Sequence, residues 1–370
     1  MAWTSAAARV AWTSAAARVM AVLACSGLAA AAVGCGGAAT AASPQQQAAA
    51  AFLAKYARPD GRVARLDQGG DTVSEGQAYG MLLAEVAGDD AAFGRIWGWT
   101  RDHMRLGNGL FAFHANAAGK VVSQQAASDA DLLIAWALLR YHGPDAASWH
   151  RDGRQVAAAI LAHEVTTGPG GTPILAAGPW ATGRPASLDP SYWSLQALQG
   201  IAQATGGKQW RRLAAGTVAL TRQLTRDGRL LPPDWAELTA AGVLRGEPAP
   251  DGSVPQTQYG LDAQRTVVWF AASCDQRARA LAARWWPLLR PAGRAQALAL
   301  HPDGAILNAT PSVLPLVAAA AAAKAAGDST ASQRLLRQAT AAQRSHPTYY
   351  GGAWQALGSA LLSGASLGAC

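Results

Sequence analysis

Twelve helix-length segments follow one another between residues 43 and 362, and they alternate in character. They run at 43–57, 74–87, 90–104, 128–142, 146–164, 190–205, 207–224, 260–273, 275–289, 311–326, 328–343 and 349–362. Asp131–Leu139 is apolar nearly all round, the pattern of a helix enclosed on every side. The segment from Gly207 is instead amphipathic: Leu213, Thr217, Leu220 and Leu224 share a face, with Arg211, Arg212 and Arg222 off it. Even-numbered segments follow the first pattern and odd-numbered ones the second, which predicts an all-α chain wound as two concentric rings. No run alternates apolar and polar residues long enough to build a sheet, beyond a short hairpin between Leu110–Phe113 and Lys120–Val122 around Gly119.

The connections carry a second asymmetry. Those leaving even segments are brief and bear glycine, as at Gly88-Asp89-Asp90, Thr205-Gly206-Gly207 and Ala326-Gly327-Asp328. Those entering even segments are long, at 105–127, 165–189 and 225–259. Loops beyond ~12–15 residues inside a compact domain are usually functional. If the even helices form the inner ring, the long loops gather at its N-terminal mouth, and a cleft is expected there.

Three segments bring acids to that mouth. In Asp71-Thr-Val-Ser-Glu-Gly-Gln-Ala-Tyr-Gly-Met81, Ser74 and Gln77 read as a capping box, which places Glu75 in the first turn. In Ala126-Ala-Ser-Asp-Ala-Asp-Leu132, Ser128 suits the N-cap, with Asp129 first and Asp131 third in the helix. Gln258-Tyr-Gly-Leu-Asp-Ala-Gln-Arg-Thr266 supplies Asp262 beside Arg265. Each acid alone has a plain reading as a complement to the helix dipole. Three at equivalent positions justify a catalytic reading. Two carboxylates across a cleft are the minimum for glycosidic hydrolysis, one protonated to donate and one ionised to act from the opposite face. An acid role for Glu75 then needs an influence opposing the helix terminus, such as like charge from Asp71 or Asp129 together with desolvation.

Twelve of the fourteen tryptophans follow residue 42. Trp269, Trp285 and Trp286 read as core. Trp180, Trp193 and Trp235 sit in or beside the long loops, where an indole can stack on a sugar ring while its N–H bonds a hydroxyl.

Composition narrows the remaining classes. Residues 1–42 hold no Asp or Glu, and Arg18 precedes an apolar run from Val19 to Val33, the make-up of an export leader. Ala39-Thr40-Ala41 suits ordinary cleavage, while Ala32-Val33-Gly34-Cys35 resembles an imperfect lipoprotein box, so a lipid anchor on Cys35 is the other outcome; both imply a secreted or periplasmic protein. Ala2–Val10 is repeated at Ala11–Val19 without bearing on the fold. Removing Arg9 and Arg18 takes the net charge from +8 to about +6, carried by arginines scattered along the chain and not in a block, which speaks against nucleic acid. Cys274 and Cys370 would remain in the mature chain, and a disulfide between them stays open. No histidine or cysteine spacing suggests a metal, and no phosphate or dinucleotide loop suggests a cofactor.

Ser74-Glu-Gly-Gln-Ala-Tyr-Gly-Met81 resembles the acid-bearing segment of glycoside hydrolase family 8, and Ala127-Ser-Asp-Ala-Asp-Leu-Leu-Ile-Ala-Trp-Ala-Leu138 resembles that family's signature. Tyr259-Gly-Leu-Asp-Ala-Gln-Arg-Thr266 resembles its base-bearing segment, with lesser matches at Ile96–Thr100, Asp189–Trp193 and Tyr349–Trp354. Within the family the likeness leans to endoglucanases associated with bacterial cellulose synthase. The resemblance implies one (α/α)6 barrel domain over 43–370, with six inner and six outer helices, acting as an inverting, metal-free β-1,4-glucanase without cofactor. It makes Glu75 the acid, Asp262 the base and Asp129 the residue holding a distorted sugar. It brings Tyr79, Asp131, Tyr192, Arg265 and Tyr350, with Trp180, Trp193 and Trp235, as substrate-binding candidates. It also implies a monomer with a possible link to a cellulose synthase complex. Xylan, mixed-linkage glucan and chitosan are alternative substrates, and a non-catalytic glucan binder is the alternative of another class. Leu261, Gln264 and Gln124-Gln125 depart from the family pattern and bear on subsite detail.

Overall fold

Burial sorts the helices as the apolar pattern does. The structure is a computed structural model and describes residues 41–364 and 367–368. Most of the expected leader, with Cys25 and Cys35, lies outside the described residues, as does Cys370. Among the described residues there are twelve helices: α1 (Pro44–Tyr56), α2 (Ser74–Ala87), α3 (Asp90–Met104), α4 (Ser128–Arg140), α5 (Ala146–His163), α6 (Leu195–Thr205), α7 (Lys208–Leu224), α8 (Leu261–Ala272), α9 (Gln276–Leu289), α10 (Val313–Ala325), α11 (Ser329–Ser345) and α12 (Tyr349–Ser363).

The even helices close a ring. α2 packs on α4, α4 on α6, α6 on α8, α8 on α10, α10 on α12, and α12 returns to α2. The odd helices lie outside, α1 against α2 and α12, α5 against α4, α7 against α6, and α11 against α10. Every residue of α10 from Val313 to Ala323 is buried, whereas α11 buries only Ala331, Ser332, Leu335 and Ala339, a single stripe. The small residues of the inner ring let backbones approach. A Cβ on Gly358 of α12 would stand 2.3 Å from Val317 Cγ1 on α10, so glycine is required there. This is the architecture of an (α/α)6 barrel.

The connections differ from the sequence reading in two ways. They are not bare loops but carry ten strands of two to six residues among the described residues, too short for alternation to register. The hairpin at Gly119 pairs His114–Ala115 with Val121–Ser123, its first strand starting four residues later than expected, and Thr72–Val73 joins as a third strand. The connection 290–312 into α10 is also long and holds the pair Ala297–Leu300 and Ile306–Pro311. α6 starts at Leu195, later than 190, because Asp189 turns the chain at Pro190–Tyr192 and Ser194 supplies the cap.

Neither expected serine cap forms. Val73, with no side-chain bond, precedes α2. Gln77 is fully buried and instead accepts from Val63 N at 2.5 Å and donates to Gly61 O at 3.1 Å and Thr100 Oγ1 at 2.8 Å. Ser128 lies inside α4 and donates to Ala176 O at 2.5 Å. In both cases buried backbone groups of a neighbouring loop claim the side chain, Val63 and Gly61 before α2 for Gln77 and Ala176 after α5 for Ser128, since leaving them unpaired costs more than an open helix end. Cys274 is disulfide-bonded, with a partner outside the described residues.

Candidate active site

The first turns of α2, α4 and α8 open at the same end of the inner ring, and their acids converge on one guanidinium. Arg265, one turn into α8, keeps only 3% of its side chain exposed. Its Nη1 bonds Glu75 Oε1 and lies 3.0 Å from Asp129 Oδ2. Its Nη2 lies 3.1 Å from Asp262 Oδ1 and 3.7 Å from Asp189 Oδ2. The guanidinium also sits over the Tyr192 ring at 5.3 Å. Glu75 and Asp262 therefore bond different amino groups of one planar fork, Nη1 and Nη2.

Each acid is held differently. Tyr79, one turn below Glu75 on the same face, donates its hydroxyl to Glu75 Oε1 at 2.5 Å. The Tyr79 ring meets Trp354 edge-on at 5.7 Å, and Trp354 meets Trp269 at 5.3 Å, so α2, α12 and α8 share an aromatic floor. Asp129 Oδ1 accepts from Ala130 N at 2.8 Å. Asp262 is the most open of the set, with 34% of its side chain exposed.

Four carboxylates around one cation cannot all ionise cheaply. Burial, and then the charge of Glu75, pushes Asp129 up to about 7 against the pull of Arg265 and the Ala130 N–H. Burial raises Asp262 as well, with Arg265 opposing. Asp189 is driven well above the carboxylate range by burial and by the charge of Asp262. A site of this kind holds a proton near a group able to accept one, which is the requirement for general acid–base chemistry.

The other candidates divide. Tyr350 adjoins the acids, and burial lifts its hydroxyl well above its ordinary value, with the Arg265 charge opposing and Glu75 adding to the rise. Tyr192 and Trp235 meet edge-on at 6.3 Å beside Arg265. Trp180 is 36% exposed and donates its N–H to Ala126 O at 3.2 Å, at the entrance to α4. Two candidates are corrected. Trp193 is 1% exposed and donates to Leu175 O at 2.8 Å, so the loop folds it into the core. Asp131 is sealed from solvent, accepts from Phe111 N at 2.9 Å and hydrogen-bonds the buried Glu164 carboxyl, so it braces the incoming loop and does not face the cleft. Asp71 likewise serves a local purpose, gripped by Arg65 at 2.5 Å and by His114 Nε2 at 2.8 Å.

Sequence reasoning missed two acids. Asp189 lies in Asp-Pro-Ser-Tyr-Trp, where the sequence points to the aromatics Tyr192 and Trp193. Asp234 lies in Leu-Pro-Pro-Asp-Trp, where Trp235 is the more conspicuous residue. The N-cap of α8 is Gly260, which has no side chain to cap the helix, and Asp234 supplies the cap from a distant loop. Its Oδ1 accepts from Gly260 N and Ala263 N, both at 2.8 Å, and its Oδ2 accepts from Gln258 Nε2 at 2.9 Å. Asp234→Ala leaves those donors unpaired, so it should cost about 1–3 kcal/mol and lower turnover by displacing Asp262. Asp234→Asn keeps an acceptor and should recover most of both. Thermal melting and turnover measured together check this; equal behaviour of the two variants would refute the capping role.

The model of glycosyl hydrolases family 8 matches residues 20–361. An endoglucanase of Cellulomonas uda is 33% identical over 52% of this chain and 55% of its own length. A probable endoglucanase of Novacetimonas hansenii is 33% identical over 60% of this chain and 65% of its own length. The chain thus spans less than two thirds of these relatives. The solved endo-β-1,4-glucanase CMCax of Acetobacter xylinum superposes with a TM-score of 0.69 at 26% identity, covering 86% of this chain and 98% of that one. With the double ring closed and the acids of α2, α4 and α8 at its mouth, the match over nearly the whole described chain places this protein in glycosyl hydrolases family 8.

Proposed function

We propose that this chain is an endo-β-1,4-glucanase that cuts internal bonds of cellulose or a related β-glucan with inversion. Glu75 donates a proton to the leaving oxygen, Asp262 draws one from the attacking water, and Asp129 holds the distorted sugar between them. The observation that carries this reading is the meeting of three first-turn acids on Arg265, with Glu75 and Asp262 on different amino groups. The relatives named as endoglucanases support the substrate class. Tyr192, Trp235, Trp180 and Tyr350 are the side chains we expect along the glucan. Residues 1–42 act as an export leader in this reading, delivering a secreted or periplasmic enzyme, anchored through Cys35 if that box is used. Association with a cellulose synthase complex would follow from the relatives it resembles.

Release of reducing ends from soluble carboxymethyl-cellulose separates this from a non-catalytic glucan binder. Cello-oligosaccharide products read at once by anomer-resolved detection should appear first as the α-anomer. Asp262→Asn keeps the bond to Arg265 but cannot take a proton from water, so kcat should fall by about 10²–10⁴-fold with little change in KM. First products in the β-anomer would overturn the inverting assignment.

A further inference from the structure

The arginines that look scattered along the sequence are not scattered in the fold. α7, α9 and α11 together carry ten lysine and arginine side chains and no aspartate or glutamate. α3 and α5, elsewhere on the outer ring, intersperse Asp90, Asp102 and Asp152 with their basic residues. α7 touches α9, and α9 and α11 both lie on α10, so the basic helices form one continuous wall. Two of the ten charges are answered at helix ends, Arg222 by Asp227 and Arg277 by Asp275. Arg211, Arg334 and Arg337 stand exposed among those left. The protein's negative charge is meanwhile drawn inward, with Asp129, Asp131, Glu164, Asp189 and Asp234 all buried.

We propose that this wall docks the protein onto an anionic membrane surface through lipid phosphates. Nine of the ten side chains are arginine, whose fork bonds phosphate oxygens in pairs and is only weakly hydrated. A protein partner would ordinarily find aromatic anchors such as Trp or Tyr beside the arginines. Among the described residues the exposed large apolar side chains are Leu66, Val122, Trp180, Val243 and Ile306, all on connections and none on the basic helices. No described helix is long and apolar enough to cross a membrane, so the contact is peripheral and electrostatic. Docking by the side of the barrel leaves the mouth at its end open to substrate.

The test is co-sedimentation of the full chain with vesicles of phosphatidylglycerol mixed into phosphatidylcholine, against vesicles of phosphatidylcholine alone. Reading the difference between the two removes any anchoring that is independent of charge. Binding should be at least ~10-fold tighter to the mixed vesicles and lost near ~1 M salt, where screening is nearly complete. The triple variant Arg211→Gln/Arg334→Gln/Arg337→Gln should lose about fivefold per charge, roughly a hundredfold in all. Arg58→Gln/Arg95→Gln/Arg154→Gln, on the other side of the outer ring, should keep it, and both triples should hydrolyse soluble glucan as the unaltered chain does. Equal binding to both vesicle types, equal loss in both triples, or preference for dextran sulfate over vesicles at matched charge would each overturn the proposal.

Discussion

Glu75→Gln should fold and melt like the unaltered chain while losing about 10²–10⁴-fold in kcat on a soluble β-1,4-glucan, the usual worth of a general acid. Glutamine has the same shape and keeps an acceptor for the Tyr79 hydroxyl and for Arg265, so the floor of the cleft stays in place. What it lacks is a proton to give to the leaving oxygen. The loss should fall on kcat more than on KM, because the missing interaction is made only in the transition state. It should also shrink sharply on an aryl β-glycoside whose leaving group departs without protonation. Wild-type turnover on the glucan, or an equal loss on both substrates, would remove Glu75 from the acid's place.

The ring architecture was legible because burial writes itself into helical periodicity. An inner helix such as α10 must be apolar all round, and an outer one such as α11 need only offer a stripe. The mouth was legible for a related reason, since acids in first turns and long loops before even helices both point to one end. Capping was not legible. Ser74 and Ser128 have the right identity and place, yet buried backbone groups of neighbouring loops compete for Gln77 and Ser128, and sequence spacing carries no trace of that competition. Asp234 shows the converse, a cap that stands 26 residues before Gly260 and becomes local only after folding. Trp193 and Asp131 misled because loop residues and first-turn residues are usually near solvent, whereas here both are buried and bonded to neighbouring connections, Trp193 to Leu175 O and Asp131 to Phe111 N. The basic wall escaped because charge was read along the chain, where arginines from three helices lie far apart.

Arg265→Met should be the most damaging single change for stability, and its damage should grow with pH. The side chain is buried and serves Glu75, Asp129, Asp189 and Asp262 at once. Removing one partner of a buried ion pair costs about 3–5 kcal/mol, since the remaining charge is left uncompensated. Methionine fills much of the space without supplying any donor. The sign with pH follows from Asp129, which is raised to about 7 in the folded protein from about 3.9 in an unfolded chain. A raised carboxyl contributes stability that is fully present below the unfolded value and is lost as pH climbs through the folded one. Arg265 restrains that rise, and without it Asp129 and Asp262 move further up. At pH 5 the carboxyls of the variant can carry protons, and the deficit should be modest. At pH 8 they must either ionise unpaired or hold protons against the solvent, and the melting temperature should fall furthest below that of the unaltered chain. Arg265→Lys should recover part of the stability but little turnover, because one ammonium cannot bond Glu75 and Asp262 from two fixed amino groups. Melting curves of the three proteins between pH 5 and 8 decide the matter: a methionine variant as stable as the unaltered chain throughout would show that the acids balance their own charge.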